Sequence, residues 1–289
     1  MAREAVPGTP HGVNTTEHEW DGIRELNTPL PKWWLYLFYA TIAWAAVWYV
    51  LYPAWPTAFD YTRGILGYSQ RADLAEALSR AAAGRAPMLD RVAVSSLEEV
   101  RQDPGVLQFA LSGGRVVFAD NCATCHRAGG AGGPGYPALA DDDWLWGGRL
   151  DDIYGTVRYG IRSDHAETRY SEMPRFGADG ILSEEDIDAV TEYVLSLAGA
   201  EHDPAALERG RAVFADNCVA CHGEAGEGIR DVGGPRLSDA IWLYGEDRES
   251  IRDVVRNARR GVMPSWEGRL DDRTIKLLAV YVHALGGGE

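Results

Sequence analysis

Four cysteines occur in the 289 residues, and all four stand in two copies of one motif, Cys-x-x-Cys-His: Cys122, Cys125 and His126, then Cys218, Cys221 and His222. That spacing is the attachment signature of a c-type haem. Two thiols three positions apart can each form a thioether with one vinyl group of the same porphyrin, and the adjoining histidine then falls beneath the iron as its proximal ligand. Each motif closes a longer repeat, GRVVFADNCATCH from Gly114 and GRAVFADNCVACH from Gly210, ninety-six positions apart (210 minus 114). A zinc site would need further Cys or His at ligand spacing behind each motif, and none follows. Cysteines this close suit a thioether pair or a redox dithiol better than a stabilising disulfide. The expected cofactors are therefore two covalently bound haem c groups.

A sixth iron ligand is offered by Met173 in SEMPRFG and Met263 in GVMPSWEG, each before a proline, 47 and 41 residues past the histidine of its own repeat (173 minus 126; 263 minus 222). An isolated methionine is usually core filler. Two Met-Pro pairs at matched positions read instead as axial ligands, Met173 for the first haem and Met263 for the second. Met/His ligation raises the reduction potential and closes the iron to substrates. The rival for the first haem is His165, which lies in an insertion, YGIRSDHAETRYSEMP, that the second repeat lacks. His202, between the repeats, and His283, late in the last helix, are weaker rivals, and His11 and His18 precede the apolar segment described next. Pro137 and Leu139 recur as Pro235 and Leu237, and Trp144 recurs as Trp242. The tryptophans are expected as core packing, a role compatible with contact to haem.

The elements that must position these residues fall into five segments. Residues 1–32 are a polar arm with Pro7, Pro10, Pro29 and Pro31, expected to be extended. Residues 33–52, WWLYLFYATIAWAAVWYVLY, carry no charge or proline. They match the roughly 20 residues a helix needs to cross a bilayer, with Trp and Tyr crowded at both ends as in interfacial aromatic belts. The run starts too late and is too long for a cleaved leader. Residues 53–110 form a linker with short helices, one of them in ADLAEALSRAAAG with Gly84 as its C-cap. The haem modules occupy residues 111–199 and 204–289. Each ends in an amphipathic helix, with Leu182, Ile187, Tyr193, Val194 and Leu197 matched by Leu270, Ile275, Tyr281, Val282 and Leu285. The fold class is thus mainly α.

Positive charges do not orient the membrane segment: Arg24 and Lys32 on one side balance Arg63 and Arg71 on the other. Haem attachment to Cys-x-x-Cys-His takes place outside the bacterial cytoplasmic membrane, which puts the N-terminus in the cytoplasm and both modules in the periplasm. A net charge of -15 argues against nucleic acid as a partner and suits a basic protein found by electrostatic steering. Residues 110–198 hold seven basic and fifteen acidic side chains against twelve and fourteen in 204–289. The first module is therefore the expected docking face for a basic donor.

The two modules resemble class I cytochrome c domains. In that fold the carbonyl of a proline placed like Pro137 or Pro235 accepts the proximal histidine Nδ1 proton, and the closing helix crosses the helix bearing Cys-x-x-Cys-His. The chain as a whole, through HEWDGIRELNTPLPKWWLYLFYATIAWAAVWYVLYPAWP, DDDWLWGGRLDDIYGTVRYGIRS and ARRGVMPSWEGRLDDRTIKLLAVYVHALGGGE, resembles the dihaem CcoP (FixP) subunits of cbb3-type cytochrome c oxidases. That resemblance implies partners: a catalytic subunit with haem b and copper, a monohaem c subunit, and a soluble or anchored cytochrome c as electron donor. It implies one-electron relay as the chain's own chemistry, with oxygen reduced to water in the catalytic subunit and no substrate site here. Two other classes fit part of the pattern. An anchored cytochrome shuttle needs only the anchor and haems, and a dihaem peroxidase needs an iron whose ligand opens, against which the two Met-Pro pairs argue.

Overall fold

The computed structural model describes residues 15–289. They belong to two compact units, Met1–Ala83 and Gly84–Glu289, described in turn. In the first, part of the arm expected to be extended is a hairpin of β1 (Thr15–Trp20) and β2 (Ile23–Leu26), with Trp20 opposite Ile23 and Thr15 opposite Leu26. Asp21 and Gly22 make the turn, both at positive φ (47° and 83°), as a two-residue type I′ connection requires. Glu19 and Arg24, paired across the strands, meet at 2.9 Å.

Helix α1 (Lys32–Leu51) follows, with Pro31 just before its first turn and no buried residue. With a mean hydropathy of 1.5 over its apolar window, it is long and apolar enough to cross a membrane. The chain then folds back on the end of α1: Ile65 and Leu66 donate to the Val50 and Leu51 carbonyls at 3.0 and 3.1 Å, satisfying acceptors that a helix end otherwise leaves open.

Helix α2 spans Gln70–Val94, so Gly84 is not a C-cap but an interior helical residue. A glycine inside a helix costs about 1 kcal/mol relative to alanine. What lies beyond it outweighs that: Met88, Leu89 and Val92 recur on one face and pack into the core of the second unit. The helix stops where Lys276 Nζ meets the Val92, Ala93 and Ser95 carbonyls at 3.3, 3.0 and 2.8 Å, a cation on the negative end of the helix dipole. Helix α3 (Leu97–Gln102) opens on a Ser96–Glu99 capping box. Helix α4 (Pro104–Asn121) opens on Asp103, with proline in its first turn. It therefore begins seven residues ahead of the expected module boundary at 111.

The rest of the second unit consists of two three-helix cores, and each draws on both sequence repeats. The first packs α4 and α6 (Leu150–Tyr159) against α11 (Asp272–His283). The second packs α8 (Leu207–Asn217) and α10 (Arg248–Asn257) against α7 (Glu184–Leu197). The closing helix does cross the helix leading into Cys-x-x-Cys-His, but it is the closing helix of the other repeat. Both crossings are built alike. Phe118 meets Tyr281 with ring centroids 5.5 Å apart, and Phe214 meets Tyr193 at 5.2 Å. The backbones approach so closely that a Cβ on Gly114 would lie 2.5 Å from the Leu277 carbonyl oxygen and Tyr281 Cβ, and one on Gly210 would lie 2.8 Å from Tyr193 Cβ and closer still to the Ala189 carbonyl.

This exchange also accounts for the uneven charge of the repeats. Glu184, Glu185, Asp186, Asp188 and Glu192 on α7 pair with Arg209, Arg248, Arg252 and Arg256 of α8 and α10. Much of the acid excess that suggested a docking face on the first module is therefore matched by arginines of the second.

Candidate haem-binding sites

Cys122 caps α4, donating its N–H to the Phe118 carbonyl at 2.8 Å, and a single further turn, α5 (Ala123–His126), carries the rest of the motif. The His126 N–H bonds the Cys122 carbonyl at 2.9 Å. Residues i, i+3 and i+4 share one helix face, so both thiols and the imidazole look the same way. Cys218, Cys221 and His222 repeat this at the end of α8 in α9 (Val219–His222), with 2.8 and 2.9 Å for the matching bonds.

Each imidazole is fixed from behind. His126 Nδ1 lies 3.0 Å from the Pro137 carbonyl and His222 Nδ1 lies 2.9 Å from that of Pro235. A carbonyl only accepts, so Nδ1 carries the proton and Nε2 keeps its lone pair for a metal. Leu139 and Leu237 secure these loops by donating to the Gly130 and Gly226 carbonyls, both at 2.7 Å. Burial pushes the pKa of both histidines down, which keeps them neutral near pH 7 as ligands must be. Burial likewise pushes the Cys122 and Cys218 thiols up to about 11.

A cavity of about 660 Å³ opens over His222, within the size range of cofactor pockets. Its walls include Cys218, Cys221, Trp242, Ile251 and Val255, and also Met173, Phe176 and Val194 from the first repeat. Thiols on one wall, a free imidazole nitrogen and a thioether in an apolar enclosure fit a covalently held haem. Around His126 the corresponding core holds Cys122, Leu139, Trp144 and Met263. The structure thus brings the expected histidines, cysteines and methionines into two sites, but it reverses the expected distribution of the methionines. Spacing alone pairs each methionine with the motif upstream of it. In the fold, the segments that carry them travel with the exchanged closing helices.

Trp144 donates to the Gly287 carbonyl at 2.7 Å, and Trp242 lines the cavity, so both tryptophans stand at the sites as packing residues. His165 does not reach either site. Its Nε2 lies 2.7 Å from Glu267, its Nδ1 accepts from the Glu167 N–H at 3.0 Å, and its ring packs 4.9 Å from Tyr159. Glu267 also pairs with Arg158, which holds its carboxyl below the usual range. We expect His165→Ala to leave the visible spectra of both haems unchanged, with a small drop in the unfolding midpoint. Loss of a low-spin haem signal in that variant would return His165 to the ligand set.

Arg162, Tyr244, Arg259 and Arg260 also line the cavity and were not singled out from the sequence. Arg162 is partly buried and donates to the Gly261 and Ser171 carbonyls at 2.8 and 3.0 Å. Only its place eleven residues before the Met-Pro of the longer repeat (173 minus 162) could have drawn notice. Among the described residues, no group of three or more His, Cys, Asp or Glu side chains is arranged to hold a bare metal ion.

The two modules are cytochrome c domains: a family model described as cytochrome c matches residues 111–198, and one described as cytochrome c oxidase, cbb3-type, subunit III matches residues 205–282. A third, the N-terminal domain of cytochrome oxidase-cbb3, FixP, matches residues 12–58. The chain is 55% identical to the cbb3-type cytochrome c oxidase subunit CcoP of Azospirillum sp. (strain B510), covering 96% of this chain and 97% of that one. It is 51% identical to CcoP of Cereibacter sphaeroides (98% and 97% covered) and 50% identical to FixP of Bradyrhizobium diazoefficiens (96% of each). The chain belongs to the CcoP (FixP) family of cbb3-type cytochrome c oxidase subunits.

Proposed function

We propose that this chain is the dihaem electron-transfer subunit of a cbb3-type oxidase, anchored by α1 with its N-terminus in the cytoplasm and both haem domains in the periplasm. Cys122 and Cys125 hold one haem c with His126 beneath it, and Cys218 and Cys221 hold the other with His222. Met173 and Met263 would supply the second iron ligands, one in each site. Bound there, haem supplies a one-electron couple. The protein's part is to fix each ring through the Pro137 and Pro235 carbonyls, to exclude water with apolar walls, and to keep both irons coordinatively closed so that electrons pass and substrates do not bind.

The observation that carries this reading is the pair of matched sites, each with two thiols, an imidazole held at Nδ1 and a methionine in the same core. Electrons from a cytochrome c would cross the two haems to a monohaem c subunit and then to the catalytic haem b and copper subunit. The test is purification from membranes in mild detergent through a tag on this chain. Copurification of a monohaem c protein and a large haem b protein, with oxygen uptake from reduced cytochrome c, is the expected result. A lone dihaem protein without uptake would point to an anchored shuttle instead.

A further inference from the structure

We infer that Glu267 is a positioning residue for Met263: with Arg158 and His165 it clasps the segment that carries this methionine and keeps the thioether from leaving its iron. This rests on the haem reading above and concerns how one of its ligands is held. Glu267 stands four residues past Met263 (267 minus 263), in a stretch that is neither helix nor strand. One oxygen of its carboxylate accepts from Arg158 Nε at 2.8 Å and from a second nitrogen of the same guanidinium. The other meets His165 Nε2 at 2.7 Å. His165 Nδ1 already accepts from the Glu167 N–H at 3.0 Å, so the neutral ring carries its proton on Nε2 and donates it to Glu267. Arg158 is steadied in turn by the Tyr154 hydroxyl at 2.8 Å and by the Tyr159 ring, 5.2 Å from its guanidinium.

Beneath the clasp, backbone bonds tie the same segment to α6 and the turn after it. The Trp266 and Glu267 N–H groups bond the Arg158 carbonyl at 3.2 and 3.1 Å, and the Ile161 and Met263 N–H groups each donate to the other's carbonyl at 3.0 Å. The side chains of Arg158, Glu267 and His165 are 32%, 37% and 24% exposed. They are sheltered enough to be worth more than the fully exposed ion pairs that contribute almost nothing.

The Met173 segment has the backbone ties without the clasp. Its Gly177 and Ala178 N–H groups bond the Arg256 carbonyl at 3.1 and 2.9 Å. Gly177 stands where Glu267 does, four residues past the methionine (177 minus 173), and brings no carboxylate. Arg256 matches Arg158 as the next-to-last residue of its helix, but it turns to Glu184 on α7 at 2.5 Å. The same arginine thus braces a closing helix in one repeat and a methionine segment in the other. His165 comes from the insertion and has no counterpart in the second repeat. It acts on ligation through Glu267 and not as a ligand. A thioether is a neutral ligand that an incoming imidazole displaces once its segment swings away. Swinging the Met263 segment away breaks charge-assisted hydrogen bonds, so the two irons differ in how readily they lose methionine.

The test is imidazole binding to the oxidised full-length chain purified in detergent, followed by loss of the methionine-to-iron charge-transfer bands. Glu267→Gln is expected to tighten binding about tenfold at one haem and to leave the other unchanged. His165→Ala, which keeps the Arg158 contact, is expected to tighten it by less. Glu184→Gln is the control for a merely structural ion pair: it frees Arg256 and is expected to lower the unfolding midpoint with both affinities unaltered. In a Met263→Ala background, whose iron is already open, Glu267→Gln is expected to leave the remaining closed haem as it was. Unchanged affinity at both haems in Glu267→Gln, equal tightening at both, or tightening of the remaining haem in the Met263→Ala background would overturn the clasp alone. Absence of the charge-transfer bands before any substitution would overturn the haem reading and the clasp with it. Where Glu267→Gln lowers haem content, Arg158→Lys keeps the charge and loses the two-pronged contact, and it is expected to shift the same haem in the same direction.

Discussion

Gly210→Val is expected to leave no stable dihaem chain. Position 210 is where α8 crosses α7, and a single added Cβ would already overlap the Ala189 carbonyl and stand 2.8 Å from Tyr193 Cβ. Neither neighbour is the free end of a flexible side chain, so the helices must separate. Separating them loosens Phe214, which is 1% exposed, and Ile187 and Val190 of the same core. Overpacking of this kind costs about 1–3 kcal/mol where the backbone can shift. Here the branched side chain also sits about two helical turns from the cap residue Cys218 (218 minus 210), so we expect the upper end or beyond. Holo-protein yield after membrane extraction and the thermal midpoint of the haem absorbance check this. Gly84→Ala is the control: nothing lies within 4 Å of the added methyl and its backbone is helical. It should be neutral or stabilising by up to about 1 kcal/mol. Destabilisation there would mean a left-handed cap and contradict the continuous α2.

His222→Ala should have the largest functional effect. In the proposed site the imidazole would be the ligand beneath the porphyrin, its Nδ1 bonded to the Pro235 carbonyl at 2.9 Å and its Nε2 left for the iron. Without it the haem is absent or five-coordinate, and the two-haem relay is interrupted. Covalent haem per chain is expected to fall to about half, or to stay with a high-spin spectrum, and oxygen uptake from reduced cytochrome c should vanish in either case. The conservative variant His222→Asn cannot substitute, since an amide is a poor iron ligand. Uptake that persists with one haem would remove this haem from the electron path.

The chemistry of the sites was legible because covalent attachment leaves its own spacing in the chain: Cys122, Cys125 and His126 need only one helical turn to converge. The carbonyls of Pro137 and Pro235 behind the two histidines follow from the repeat and from resemblance to class I cytochromes. The membrane segment was legible from length and apolarity, and the structure starts α1 at Lys32 rather than Trp33. The hairpin could have been found, since Asp21-Gly22 between Trp20 and Ile23 is a two-residue turn signal. The prolines on either side of it, Pro10 and Pro29, point instead to an extended arm. Gly84 misled because composition does not tell an interior glycine from a cap; the decisive contacts of Met88 and Val92 are with residues far along the chain.

The exchange of closing helices was invisible for a deeper reason. Both closing helices present the same apolar stripe, with Tyr193 and Tyr281 at equivalent places, so either would fit either glycine-marked crossing. What distinguishes them is charge and reach. The acids of α7 complement Arg248, Arg252 and Arg256 on α10. The extra residues around His165 lengthen one connection. Both signals were present as an uneven charge balance and an insertion, but read one repeat at a time they suggested a docking face and a rival ligand.

The most direct test of the central claim, two haems c each closed by histidine and methionine, is near-infrared magnetic circular dichroism of the oxidised full-length chain with a haemochrome assay of covalent haem on the same sample. Two haems per chain, both low-spin and both showing the methionine-to-iron charge-transfer band, is the expected result. A single covalent haem, or a second haem with a bis-histidine or high-spin signature, would contradict the account.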